Sequence, residues 1–376
     1  MPMSEPPPPP FDFCDEQPPD PACFASKRDP DSDQVTLATR IAERMMRELP
    51  PQEQAWDWAE STWMFALVDL HRVTGDPAIL AYLQAWLDHH IEGGDVVIDA
   101  PNRCTPAAIA AELYALTGEE RYRRVVEDVL RFLREETLFT EEGGVNHLGV
   151  LDILGVTLWV DSLFVFGSAQ MRWGELQDDA TALADFSEQF HVHTDVLQSE
   201  GGLYRHADDR WALDQDPDVY WARGNGWVTA AGYDYLRILR NRGETDDDVA
   251  DALQRQVDAL RDLQDPDTGL WWTVVNRPGE TYLETSASAL YGYGMLRGYR
   301  SGWLDDGVLP VAQAALDGVR ERIVEDEQGE PVVTGTSGPT NAGDFDSYAA
   351  VAVGDDVPYG VGSTILLLVE SAGLLD

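Results

Sequence analysis

The sequence predicts an all-α fold, a closed α/α barrel of about six helical hairpins, on three observations. From about Asp33 onward apolar residues recur at three-to-four spacing, as in VTLATRIAERMMREL, which stops at Pro50-Pro51. A helix, Gly turn, helix unit then repeats: LVDLHRVTGDPAILAYLQAWLDHHI (67–91) resembles AELYALTGEERYRRVVEDVLRFLRE (111–135), with Thr74-Gly75 recurring as Thr117-Gly118. Few segments alternate with period two, which argues against a β-rich fold.

Taken in order, the first 33 residues stand apart. Ten of the 22 prolines fall within the first 30 residues, including Pro6 to Pro10, so residues 1–33 read as a disordered or extended tail. Residues 34–376 read as one domain. After the two clear hairpins come looser copies at 235–260 and 296–323, and the remaining length holds about six hairpins of roughly 57 residues each. Such units stack as an open solenoid or close into a ring. The segments between hairpins are long and carry clustered Trp, His, Asp and Arg, which favours a ring that gathers them at one end.

Charge excludes several functions. Sixty-eight acidic residues stand against 26 basic ones, a formal net charge of −42, and Lys27 is the sole lysine. Nucleic acid and anionic membranes are therefore poor partners. The acid excess is dispersed along the chain, as expected for a protein of an extreme halophile, where molar salt screens self-repulsion. Cys14, Cys23 and Cys104 form neither a disulfide framework nor a metal-ligand spacing. No signal peptide or membrane span is legible, so a cytoplasmic monomer or homodimer is expected.

Several stretches could carry chemistry. In TLWVDSLFVFG (157–167), Asp161 interrupts an apolar run two residues after Trp159; desolvation there would raise its pKa and suit it to general acid/base work, although Asp at a helix start is also a common cap. Asp99 lies in the loop before the helix that begins at Pro106, where it reads first as a turn residue, with Asp95 a competing candidate. EEGGVNHLG (141–149) and SEGGLYRHADD (199–209) place His147 and His206 after the same Glu-Gly-Gly, positions from which they could contact a substrate. YWARGNGW (220–227) sets Arg223 and Asn225 between Trp221 and Trp227; Gly-Asn-Gly reads as a turn, while a fixed cation among flat rings suits an anionic sugar. His191 and His193 lack a third metal ligand nearby, and no phosphate loop, dinucleotide fingerprint or serine elbow is present, so neither metal nor cofactor is expected.

WVDSLF, GLYRHADD, YWARGNGW, YLETSASALYGYG (282–294) and DVPYGVGSTILLLVE (356–370) together resemble the unsaturated glucuronyl and rhamnogalacturonyl hydrolases of glycoside hydrolase families 88 and 105, with family 105 the nearer. The resemblance runs from about Trp56 to the C-terminus. It implies an (α/α)6 barrel and a reaction on oligosaccharides ending in a 4,5-unsaturated uronic acid, whose C4=C5 bond is hydrated. It implies Asp161 as acid/base, Asp99 as a second aspartate, and Trp221, Arg223 and Trp227 as pocket residues, with His147 and His206 contacting the sugar. Trp159 and Asn225 are expected in the same pocket. An epimerase working through histidines and a non-catalytic uronate-binding barrel are the competing expectations.

Overall fold

The computed structural model describes residues 28–210 and 215–375. Twelve long helices alternate between an outer and an inner ring. The outer helices are α1 (Asp33–Glu48), α3 (Pro77–Gly93), α5 (Glu120–Arg131), α8 (Ala180–Leu197), α10 (Asp247–Leu263) and α12 (Leu309–Arg320). The inner ones are α2 (Trp58–Thr74), α4 (Pro106–Thr117), α7 (Gly167–Leu176), α9 (Ala222–Asn241), α11 (Thr285–Arg300) and α14 (Pro358–Ser371). Short helices α6 (Ser162–Val165) and α13 (Phe345–Ala349) lie in connections. Each inner helix packs on the next, and α14 packs on α2, so the ring is closed and the fold is an α/α barrel of six hairpins.

Burial explains which helix goes where. Residues 222–239 of α9 are buried without interruption, as an inner helix walled on all sides requires. On α10 only one stripe, Val249, Ala252, Leu253, Gln256, Val257 and Leu260, is buried, and its acids face out. The Thr-Gly repeat is one turn built twice. Gly75 and Gly118 sit at φ 65° and 71°, left-handed backbone that glycine adopts without strain. The Thr74 hydroxyl donates to the Leu70 carbonyl and accepts from the Asp76 amide; Thr117 does the same with Leu113 and Glu119.

Strand structure among the described residues is confined to isolated bridges and three antiparallel pairs of two or three residues: β1 (Trp271–Trp272) with β2 (Leu283–Glu284), β3 (Ile323–Glu325) with β4 (Pro331–Val333), and β5 (Thr336–Ser337) with β6 (Val353–Gly354). Among the same residues no helix is long and apolar enough to cross a membrane.

Residues 1–27 of the expected tail lie outside the described residues. Arg28 does not behave as tail: it is buried and donates to both Glu370 carboxyl oxygens at 2.7 and 2.6 Å. It joins a set of buried charges at the C-terminal ends of the inner helices. Arg172 lies 3.0 Å from Asp69 and 3.2 Å from Glu175; Arg237 lies 2.9 Å from Asp234; Arg297 lies 3.1 Å from Asp69, 3.0 Å from Asp234 and 2.9 Å from Glu370. Arg72 closes on Glu112. Every inner helix supplies a member, and one end of the barrel is thereby filled with paired charge.

Candidate active site

The opposite end, where the inner helices begin, holds a cavity of about 340 Å³. Residues from successive helix starts line it: Trp58 at the head of α2, Asn102 before α4, Asp161 before α6, and Trp221, Arg223 and Trp227 at the head of α9. His147 and Trp159 complete one wall, with Thr340 and Asn341 on the other.

Asp161 occupies the cap position of α6, yet its side chain makes no cap hydrogen bond. Its Oδ1 is buried with no hydrogen-bond partner among the described residues. Burial pushes its carboxyl up to about 7, against the opposing pull of its own amide and the Arg223 charge. A carboxylic acid still protonated near neutrality is what a proton donor needs.

Aromatic rings form the wall beside it. His147 stacks on Trp159 with centroids 4.3 Å apart and planes 4° from parallel. His206 meets the edge of Trp159 at 4.7 Å and stacks on Trp221 at 4.2 Å. Burial holds both imidazoles neutral: His147 falls to about 3, and His206 lies well below its ordinary value, with His147 and Arg223 adding to the effect. The Tyr348 hydroxyl accepts from the Gly343 amide at 3.2 Å and lies 3.0 Å from His206 Nδ1. Donation of the Tyr348 proton to Nδ1 would leave the histidine proton on Nε2. That Nε2 is buried without a partner among the described residues.

Arg223 is fully buried, its guanidinium 4.6 Å above Trp221 and 4.8 Å above Tyr359. Four of its N–H groups are engaged: Nη1 donates to the Ser337 carbonyl at 3.1 Å and to the Ser337 hydroxyl, and Nη2 to the Gly338 carbonyl at 2.8 Å and Thr340 Oγ1 at 3.2 Å. Glu284 lies 3.6 Å from Nη1, so the cation is already balanced. Nε is buried with no hydrogen-bond partner among the described residues. Arg223 therefore holds the 337–340 segment against the cavity, and its spare donor is Nε.

The remaining expected residues fall elsewhere. Asp99 is exposed and does not line the cavity; its carbonyl accepts from the Val150 amide, and the polar group of that loop on the cavity wall is Asn102. Asp95 is an exposed residue just past the end of α3, its amide bonded to the His90 carbonyl. Asn225 does not line the cavity and is saturated: Oδ1 accepts from the Tyr204 amide at 2.8 Å, while Nδ2 donates to the Tyr204 and Trp221 carbonyls at 2.9 and 3.0 Å. It ties the His206 loop to α9. His191 lies 3.1 Å from Asp246 on the outside, and His193 is buried with Nδ1 against the Gln189 carbonyl, so the two do not converge.

The Gly-Asn-Gly expected as a turn is instead the first turns of α9. Its glycines are there for packing. A Cβ at Gly224 would stand 2.7 Å from Val160 and 2.8 Å from Trp221, and one at Gly226 would stand 3.0 Å from Leu290. Trp58, Asn102, Glu284, Thr340 and Tyr359 are site residues that sequence reasoning did not single out. The signal for Glu284 was present in YLETSASALYGYG, an acid three residues ahead of the Ala287 amide it caps at 2.6 Å.

A pocket walled by indoles, with one raised carboxyl and a few fixed donors, is the architecture of a carbohydrate-active enzyme. The chain belongs to Glycosyl Hydrolase Family 88, whose family model matches residues 34–375, and it is a glycoside hydrolase. It is 26% identical over 309 residues to the unsaturated rhamnogalacturonyl hydrolase YesR of Bacillus subtilis, covering 81% of this chain and 87% of that one. In fold it is similar to a possible family 105 member from Klebsiella pneumoniae, with 24% identity, a TM-score of 0.79, and 90% and 93% of the two chains covered. It is likewise similar to the unsaturated glucuronyl hydrolase of Bacillus sp. GL1, with 15% identity, a TM-score of 0.66, and 89% and 95% covered.

Proposed function

We propose that this hydrolase removes the terminal 4,5-unsaturated uronic acid from lyase-generated oligosaccharides, with unsaturated rhamnogalacturonyl substrates foremost. The observation that carries the reading is Asp161: a half-buried carboxyl on the wall of an aromatic cavity, its Oδ1 without a partner among the described residues, pushed up to about 7 by desolvation. The family and the YesR relationship support the substrate class.

The chemistry follows from what Asp161 can donate. Its proton goes to C4 of the enol ether, and the C4=C5 electron pair forms the new C–H bond. The cation left at C5 is shared with the ring oxygen. Water adds to C5 and returns a proton to the Asp161 carboxylate. The hemiketal opens with cleavage of the bond between C5 and the ring oxygen, and the hemiacetal then formed at C1 breaks to release the second sugar as an alcohol. No bond to C1 is attacked, so the spacing rule for paired carboxylates in retaining and inverting glycosidases does not apply.

Arg223 Nε–H on the cavity wall, and His206 Nε2 packed behind Trp159 and Trp221, are the buried groups we assign to the substrate's polar atoms, while Trp159, Trp221 and Trp227 wall the ring. Asp99, exposed in the loop that places Asn102 on the cavity wall, we assign as a supporting carboxylate beside the site. The acidic, lysine-poor composition supports a halophilic source and a cytoplasmic setting rich in salt.

The test follows the ultraviolet absorbance of the conjugated double bond in molar KCl. Wild type should remove it from rhamnogalacturonan-derived disaccharides, and Asp161→Asn should not. Persistence of the absorbance in folded wild type on every unsaturated substrate would favour the epimerase or binding-barrel readings.

A further inference from the structure

A second pocket, of about 180 Å³, opens on the outside of the barrel between the end of α5 and α8. It shares no lining residue with the catalytic cavity. Leu133, in the wider helical turn Phe132–Glu136 that follows α5, lines it together with Phe139 and Val145, which face each other across an antiparallel bridge. Leu133 and Val145 are buried, whereas Phe139 is 42% exposed. Two glutamines also line the pocket, and they differ. Gln189 of α8 is spent on the protein: Oε1 accepts from the Val145 amide at 2.8 Å and Nε2 donates to the Gly143 carbonyl at 3.0 Å. Gln170 of α7 is 2% exposed, and its Oε1 is buried with no hydrogen-bond partner among the described residues. Buried polar groups are ordinarily satisfied, because leaving one unpaired is costly.

What Gln170 Oε1 lacks is a donor, and the rest of the lining says which kind. Arg134 lies 2.6 Å from Asp185, so the pocket's cation is already committed and an anion would find none free. Glu188 is exposed and in no salt bridge among the described residues, which supplies a second acceptor. Two acceptors suit a ligand with several hydroxyl donors, and the Phe139 ring with Leu133 and Val145 suits an apolar C–H face. A sugar ring carries both. A water molecule would satisfy Oε1 and leave the exposed ring uncovered; a bare cation would satisfy Glu188 and gain nothing from the apolar floor.

We propose that this pocket is a second carbohydrate site, separate from the catalytic cavity. It takes a neutral saccharide, with hydroxyls donating to Gln170 Oε1 and Glu188 and a ring face laid on Phe139. Val145 stands two residues before His147, so the site lies behind the segment that walls the catalytic cavity. It breaks no bond, and it does not depend on which sugar the catalytic cavity takes.

The experiment titrates D-galactose, D-glucose and L-rhamnose into the protein by calorimetry, at two KCl concentrations in the molar range, with tetramethylammonium as a cationic probe. At least one neutral sugar should bind in the millimolar range, with a Kd that the change of salt leaves unmoved. Phe139→Ala, at an exposed position, and Gln170→Met, which keeps the length and removes the acceptor, should each weaken that binding by about fivefold or more, the worth of one contact. Consumption of the unsaturated substrate should continue at the wild-type rate in both. If Gln170→Met does not fold, Phe139→Ala decides alone. Failure of every neutral sugar to bind would overturn the proposal. So would binding that the variants leave intact, which would belong to the catalytic cavity. Binding of tetramethylammonium that weakens with salt and is lost in the same variants would overturn it as well, and give the pocket to a cation.

Discussion

Arg223 and Glu284 form a fully buried ion pair, 3.6 Å apart, directly behind the cavity. The glutamate also caps α11 through the Ala287 amide and accepts from Ser286 and from the Ser337 amide at 2.9 Å. It is therefore the joint between α11, the 337–340 segment and the one cation of the site. Glu284→Gln should destabilise the fold by about 3 kcal/mol, because it leaves a buried guanidinium without its counter-charge. It should also move the alkaline limb of activity to lower pH, since an unbalanced Arg223 favours ionised Asp161. Denaturant unfolding and a pH–rate profile check both; an unmoved limb would confine Glu284 to a structural role.

Asp161 must carry its proton to act, and its carboxyl is pushed up to about 7. kcat/KM should accordingly be level at mildly acidic pH and fall as pH rises through about 7. Asp161→Asn should lose about a thousandfold on the acidic plateau, within the range for a general acid, with the deficit narrowing above pH 7 as wild type ionises. A profile that rises through neutrality would mean the ionised form is the active one.

The same carboxyl makes a stability prediction of opposite sense. Its folded pKa lies above its unfolded value, so the folded state holds the extra proton between pH 4 and 7, and stability falls as pH rises across that interval. Asp161→Asn should match wild type near pH 4 and become the more stable protein above pH 7, by on the order of 2 kcal/mol given a side chain partly open to the cavity. Paired urea titrations at pH 4.5 and 8 would show it. Equal stability at pH 8 would mean that the carboxyl is better solvated than its surroundings imply.

Burial keeps His206 neutral, its ring is held between Trp159 and Trp221, and we assign its proton to Nε2, opposite the Tyr348 hydroxyl. His206→Phe keeps the stacked shape and removes the donor. KM should rise about tenfold, the value of one buried hydrogen bond, with the fold intact by near-ultraviolet circular dichroism. The inflection near pH 7 should persist in His206→Phe, because it belongs to Asp161. Complete loss of turnover in His206→Phe with activity retained in Asp161→Asn would instead indicate histidine-based chemistry.

What the sequence disclosed depended on how local each feature was. Thr74-Gly75 and Thr117-Gly118 could be read because a helix end is closed by its own last turn. Asp161 could be singled out because the apolar residues that desolvate it include its chain neighbours. Gly224 and Gly226 misled because a glycine that admits Val160 or Leu290 and one that makes a turn look the same in sequence; only the neighbouring helix distinguishes them. Trp58, Asn102 and Tyr359 come from separate helix starts and meet only when the ring closes. The buried charges were hidden for a related reason: Asp69 with Arg72, Arg172 with Glu175 and Asp234 with Arg237 are spaced like ordinary surface pairs on a helix.

Those charges have a consequence for how the ring is counted. Arg297 spans Asp69, Asp234 and Glu370 from three different helices, and Arg172 reaches Asp69 and Glu175. A ring with one hairpin more or fewer would leave a guanidinium or a carboxylate buried without its partner, at a cost of about 3–5 kcal/mol. The floor of the barrel thus acts as a tally that closes at six. Arg28 adds the last stroke from before the first helix, so trimming the chain at Asp33, where the apolar pattern begins, would remove part of the lock along with the tail.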